Sequence, residues 1–186
     1  MKLLIMGPPG VGKGTQADCI KNELMILHLS TGEILRAEVD AKSVIGRNAK
    51  LYMDFGRLVP DNILIEIVKE RISKSDCQNG YILDGFPRTL PQAKGLDEMM
   101  HSVGHDLECA ISLTADKDEL LNRLIKRGEE SSRSDDTPEV IRNRQKIYWE
   151  QTAPLLDFYH DKGILKEVDG LGEIPEITKR ILDVLK

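Results

Sequence analysis

Three things are missing from this chain of 186 residues: a cysteine framework, an excess of positive charge and any long apolar run. Its three cysteines, Cys19, Cys77 and Cys109, are widely spaced and form no Cys-x-x-Cys pair. That excludes a four-cysteine zinc site and suits unpaired thiols in a reducing compartment. With 26 Lys and Arg against 31 Asp and Glu, the formal net charge is -5, which argues against non-specific nucleic-acid binding. Any anionic ligand must then be held by a local cluster of cations. No apolar run approaches membrane length, and the brief one after Lys2 leads into glycines and prolines rather than a small-residue cleavage site. The expectation is a chain neither exported nor anchored, with the cytoplasm as its address. Internal repeats, low-complexity tracts and proline-rich linkers are also missing from the sequence.

What is present begins at once. Residues 3–6 are apolar and run directly into Gly7-Pro-Pro-Gly-Val-Gly-Lys-Gly-Thr15. A strand feeding a Gly-x-x-x-x-Gly-Lys turn cradles phosphate: the glycines let successive backbone N–H groups point inward, Lys13 adds a cation, and the following helix contributes its dipole. The hydroxyl that usually follows the lysine comes one place later, because Gly14 separates Lys13 from Thr15. This departure points to a kinase-like subclass.

The length suits one main domain with small inserts. Apolar runs at 3–6, 26–29, 81–83, 110–113 and 164–168 alternate with helix-length segments. That pattern predicts an α/β fold: a five-stranded parallel sheet with helices on both faces, and ligands beyond the carboxyl ends of its strands. The first helix should run from Lys13 to about Leu24. Ser30-Thr-Gly-Glu33 has the spacing of a capping box and opens a second helix through Val39, Gly46 and Gly56 punctuate further helical pieces, and Pro60 suits the first turn of another. Residues 30–59 therefore read as a small helical insert. A polar segment, 128–136, lies between two helices with arginines at its flanks, as a solvated loop or a lid would.

Two further groups carry chemistry. Asp84 closes an apolar strand, the place from which a carboxylate orients the water shell of Mg2+ in phosphate-loop proteins, and Arg88 follows a Gly-Phe-Pro turn that would aim it across the sheet's end. Arg123, Arg127, Arg133 and Arg144 surround the polar segment. Arginine suits this role because its planar fork binds phosphate oxygens in pairs and stays charged. Any one of them alone reads more simply as a solvated helix face.

Taken together, five segments in order resemble the adenylate kinases of the nucleoside monophosphate kinase family: the phosphate loop through Gln16, His28 to Arg36, Gly56 to Asp61, Gly80 to Gln92, and Arg127 to Asp136. The resemblance covers essentially the whole chain. It implies a P-loop NTPase fold of one domain, residues 1–186, with 30–59 binding the nucleoside monophosphate and 126–136 forming a short lid without structural zinc. It implies Mg2+-dependent transfer from ATP to AMP, giving two ADP, by a monomer with no nucleic-acid or membrane partner. Gly10, Val11, Gly12, Lys13, Gly14 and Thr15 would hold the ATP phosphates. Arg123 and Arg127 would serve the ATP side, and Gly172 would touch the ATP adenine through its backbone. Thr31, Arg36, Arg57, Leu58, Val59, Gly85, Arg88 and Gln92 would form the AMP site, with Gln92 reading the adenine edge and Arg88 holding the phosphate. Arg133 and Arg144 would converge on the phosphates on closure, and Asp84 would act through metal-bound water. A UMP/CMP kinase shares the fold but resembles this chain less at Thr31 and Gln92. A non-catalytic nucleotide sensor would be favoured had the cations been missing, and a regulatory GTPase lacks support because no Asn-Lys-x-Asp occurs. Departures from the family pattern are Gln145 where leucine is usual, Arg57 where glutamine is frequent, and the Pro8-Pro9 pair.

Overall fold

A computed structural model of the chain describes residues 1–130 and 137–186, the side chains of 129 and 130 excepted. Five parallel strands, β1 (Lys2–Met6), β2 (Leu27–Ser30), β3 (Tyr81–Asp84), β4 (Cys109–Thr114) and β5 (Leu165–Asp169), form one sheet in the order β2-β3-β1-β4-β5. Side-chain alternation explains why the central strands read as unbroken apolar runs. Leu3 and Ile5 of β1 point to one face and Leu4 and Met6 to the other. On the first face pack helices α1 (Lys13–Leu24), α6 (Lys117–Glu130) and α9 (Ile174–Val184), through Ala17, Ile20, Leu120, Ile177 and Ile181. Against the second lie α4 (Asp61–Ile72), α5 (Leu90–Ser102) and α8 (Leu155–Asp161), through Val68, Ile72, Leu96, Met99, Leu155 and Tyr159. The edge strand β5 buries only Val168 fully.

Each strand falls within a residue or two of its expected bounds, and the displacement at β2 has a cause. Ile26, predicted as its first residue, spends its N–H on Lys21 O at 3.1 Å, closing α1, so the ladder starts at Leu27, whose N–H reaches Gly80 O at 3.1 Å. Pro60 caps α4 instead of entering it. Between β2 and α4 stand α2 (Thr31–Asp40) and α3 (Val44–Met53), followed by a turn at Gly56 with φ of 63°. Ser30 caps α2 by accepting from Glu33 N–H at 3.4 Å.

Gly46 does not punctuate. It lies inside α3, where α2 crosses so closely that an added Cβ would sit 2.0 Å from Glu38 O. Because the obstruction is backbone, no side-chain rotation relieves it, and Gly46→Ala must separate the two helices. Overpacking of this kind costs about 1–3 kcal/mol. Gly46→Ala is therefore expected to lower Tm and raise KM for the acceptor nucleotide; an unchanged melting curve would show that α2 yields without cost.

The short helix α7 (Pro138–Ile147), capped by Thr137, runs into a single π-turn, Tyr148–Thr152, before α8. The segment 131–136, with Arg133, lies outside the described residues. Among the described residues, no helix is long and apolar enough to cross a membrane.

Candidate active site

β1 is central and β3 is its neighbour, with Ile5 in register with Asp84, so the loops leaving these two strands emerge side by side. The first loop carries Lys13 and the second Arg88. Gly12, at φ of 95°, turns the first loop into α1 from the left-handed region. Gly10, at φ of 90°, lies where a Cβ would come within 2.8 Å of Leu120 O and 2.9 Å of Leu124 Cγ. The loop is thus pressed against the helix that bears Arg123 and Arg127.

Lys13 Nζ donates to Gly7 O at 2.8 Å and Pro8 O at 3.1 Å, so its ammonium is wrapped by the loop it belongs to. Burial pushes its pKa down to about 8; Asp84 opposes the shift, and Arg88, Arg144 and Arg127 add to it. A polyphosphate arriving here reverses the balance of charge and favours the ammonium. Nucleotide binding at pH 8 is therefore expected to take up a fraction of a proton, with the uptake fading below about pH 7. Calorimetry in buffers of different ionisation enthalpy measures this, and uptake that persists in Lys13→Met would refute the assignment to Lys13.

Asp84 sits between cations. Burial alone would raise its pKa, yet contact with His28 and the charges of Lys13 and Arg88 outweigh it and hold the carboxyl below the usual range. His28 faces two carboxylates: Nδ1 lies 3.1 Å from Asp18 Oδ1, and Nε2 lies 3.5 Å from Asp84 Oδ2, the latter an ion-pair approach without hydrogen-bond geometry. Burial depresses its pKa, but the two carboxylates prevail and the net shift is upward. Sequence reasoning gave His28 no role, because Asp18, His28 and Asp84 come from three separate elements.

Two cavities share these residues. A cleft of about 1080 Å³ gathers Gly10 to Thr15, Asp84, Arg123, Arg127 and Gly172. A small adjoining pocket of about 70 Å³ gathers Thr31, Arg57, Leu58, Val59 and Leu64. Arg36, Gly85, Arg88 and Arg144 line both. Of the residues expected on the AMP side, Thr31, Arg57 and Val59 line the small pocket alone, while Arg36, Leu58, Gly85, Arg88 and Arg144 line the large cleft as well, so the two spaces touch with three arginines at the junction.

Some expected residues are engaged otherwise. Gln92 is fully buried and lines neither cavity; its Nε2 donates to Asp61 Oδ1 at 2.6 Å and its Oε1 accepts from Arg88 N–H at 2.7 Å. Arg123 donates through Nη1 to Gly170 O at 3.1 Å and through Nε to Glu119 Oε1 at 2.7 Å, bracing the loop before Gly172 as well as facing the cleft. Arg57 lies over the Phe55 ring, 5.9 Å from its centroid. Arg88 Nε donates to Gly85 O at 2.7 Å, and Thr31 Oγ1 donates to Asp84 O at 3.4 Å.

The donor set suits Mg2+. This ion keeps most of its waters and takes one or two carboxylates plus substrate phosphates, and Asp84 supplies one partly exposed carboxylate facing the phosphate loop. An added Cβ at Gly14 would stand in van der Waals contact with Asp84 Oδ2, at 3.7 Å, so the glycine keeps that side of the carboxylate clear.

Comparison with known proteins bears on the family of the chain. A family model described as adenylate kinase matches residues 5–164. Among curated proteins named adenylate kinase, that of Leptospira biflexa serovar Patoc is 49% identical over 181 residues, covering 97% of each chain. One from Nocardioides sp. is 47% identical over 185 residues, spanning 100% of this chain and 97% of that protein. One from Stenotrophomonas maltophilia is 45% identical over 186 residues, spanning the whole of both.

Proposed function

The chain belongs to the adenylate kinase family, and from that premise we infer that it transfers the terminal phosphoryl group of ATP to AMP, reversibly, giving two molecules of ADP. The observation that carries the site assignment is the junction: Arg36, Arg88 and Arg144 line both cavities, where an acceptor phosphate must meet a donor phosphate.

The chemistry asks little covalent work of the protein. The attacking atom is a phosphate oxygen, largely deprotonated at neutral pH because the second pKa of a phosphate monoester is about 6. No general base is needed. The residues must bring two polyanions together and neutralise charge on the moving group. The backbone of Gly10 to Thr15 and the Lys13 ammonium hold the donor's β- and γ-phosphates. Arg123 and Arg127 add cations on that side, and the backbone near Gly172 receives the donor base. Arg36 and Arg88 hold the acceptor phosphate beside Thr31 and Gly85, while Arg57, Leu58 and Val59 pack on the acceptor base. Arg144 reaches the shared oxygens from α7, joined by Arg133. Asp84 would orient the water shell of Mg2+, which would supply charge neutralisation to the phosphates when bound. Closure of residues 30–59 and of the short lid, 126–136, would exclude water as a competing acceptor; this is the motion for which the family is known.

The resemblance gives Gln92 the reading of the acceptor's adenine edge. Its partners dictate its orientation, since only its oxygen can face Arg88 N–H and only its nitrogen can face the Asp61 carboxylate. The side chain is fully buried and lines neither cavity, so that role requires the site to open towards Gln92 when the base binds. The free thiols Cys19, Cys77 and Cys109 suit a reducing, cytoplasmic setting. A monomer is what the resemblance to the family implies.

A coupled assay of ADP formation from Mg-ATP, with AMP, UMP, CMP and GMP offered in parallel, tests the reading. A strong preference for AMP is expected. Turnover with UMP or CMP instead would make the chain a pyrimidine kinase, and binding without transfer would make it a sensor.

A further inference from the structure

Arg88 is gripped by more than its own loop. Its N–H is held by Gln92 of α5, and its carbonyl oxygen accepts from Thr152 Oγ1 at 2.9 Å, across 64 residues of chain. Thr152 is 7% exposed and lines the large cleft. It ends the π-turn that continues α7, the helix carrying Arg144.

That turn explains how the hydroxyl reaches its target. In a regular helix a buried threonine hydroxyl bonds back to a carbonyl three or four residues earlier on its own helix. Here Ala153 N–H reaches back five residues to Tyr148 O at 2.8 Å, so one extra residue is accommodated in the turn. One residue rotates everything after it by about 100° around the helix axis. The rotation carries position 152 to the side facing the Gly85 to Thr89 loop. Single π-turns inside helices cost hydrogen-bond geometry and recur at functional sites.

We propose that Thr152 is a positioning residue: the π-turn phases its hydroxyl onto the Arg88 carbonyl, tying Arg88 to the helix that carries Arg144. The two arginines then hold a set spacing, because one hydrogen bond joins the backbone beneath Arg88 to the π-turn that continues the helix of Arg144. Losing it would allow the root of Arg88 to shift. The proposal rests on the reading that Arg88 holds the acceptor phosphate.

Thr152→Val keeps the shape and removes only the hydroxyl. It is expected to lower kcat about tenfold and raise KM for AMP several-fold, with KM for ATP unchanged. Thr152→Ser, which restores the donor, should recover most of the kcat. A role confined to folding would lower Tm in both variants and leave kcat alone. Should Thr152→Val fold poorly, a double-mutant cycle of Thr152→Ala with Arg88→Lys still decides: action through Arg88 predicts that the Thr152→Ala penalty shrinks in the Arg88→Lys background. Wild-type kinetics for Thr152→Val, serine as impaired as valine, or full additivity in the cycle would each overturn the proposal. Failure of the underlying reading looks different: Arg88→Lys alone would leave KM for AMP and kcat intact.

Discussion

Lys13→Met is expected to lower kcat/KM for ATP by about 10³-fold, equivalent to about 4 kcal/mol of transition-state stabilisation, with the fold intact. The size follows from position. The Lys13 ammonium stands in the loop that receives the donor phosphates, part-buried, facing Asp84 and surrounded by Arg88, Arg127 and Arg144. Charge developing on the moving group meets a preorganised cation there, in a site where water screens little.

The stability of the same variant has the opposite sense. The Lys13 pKa is lowered to about 8 from an ordinary 10.5, so its charged form is less favourable in the folded chain than in the unfolded one. Below pH 8 that charge opposes folding; as pH rises from about 8 towards 10.5 the folded chain has already lost the proton and the opposition fades. Methionine removes the cost and keeps an unbranched apolar stem. Tm at pH 7 is therefore expected to stay level or rise. A Tm that falls sharply together with activity would mean that the hydrogen bonds from Nζ to Gly7 O and Pro8 O hold the loop together, and that the kinetic loss is one of structure.

Arg88→Lys is the second large effect, with kcat lowered about 10²-fold and KM for AMP raised. Charge is preserved, so the loss isolates geometry. Arg88 uses Nε to hold Gly85 O at 2.7 Å, which sets the plane of the guanidinium over a glycine where an added Cβ would stand 3.0 Å from Nη2. Lysine cannot make that bond and keep two parallel donors for phosphate oxygens. Steady-state kinetics with AMP varied at saturating ATP measures the split. A variant with normal kcat and only a raised KM would assign Arg88 to uniform binding of the acceptor, and normal values for both would remove it from the site.

The contrast between Lys13 and Thr152 shows what could be read in advance. Lys13 announces itself because everything its role requires is contiguous: an apolar strand, glycines able to take the left-handed conformation, a cation and a helix start. Asp84 and Arg88 are legible for the same reason, each fixed by a strand end and the turn after it. The central strands appear because both faces of the sheet are covered and their residues are largely apolar, while the edge strand β5 shows through Leu165 and Val168 alone. The errors are local ones of spacing. Gly46 looked like a helix break, since nothing near it in sequence reveals that the backbone of α2 passes within contact distance.

Gln92 and Arg123 mark the next limit. Their residue types suit the roles the family implies, but the structure ties Gln92 to Asp61 and Arg88, and braces Arg123 against Gly170. Asp61 lies 31 residues from Gln92, and Gly170 lies 47 from Arg123. No periodicity links such pairs.

By itself, then, the sequence determined the phosphate loop, the order of strands and helices, and which cations are available, because each depends on interactions within a few residues. Only the tertiary structure decided which cations meet. Arg36, Arg88 and Arg144 come from α2, the turn after β3, and α7, and they share a junction because strand order places β3 beside β1 and a one-residue π-turn aims Thr152 at Arg88. Those are consequences of chain crossing and helix phase, set by packing over the whole molecule.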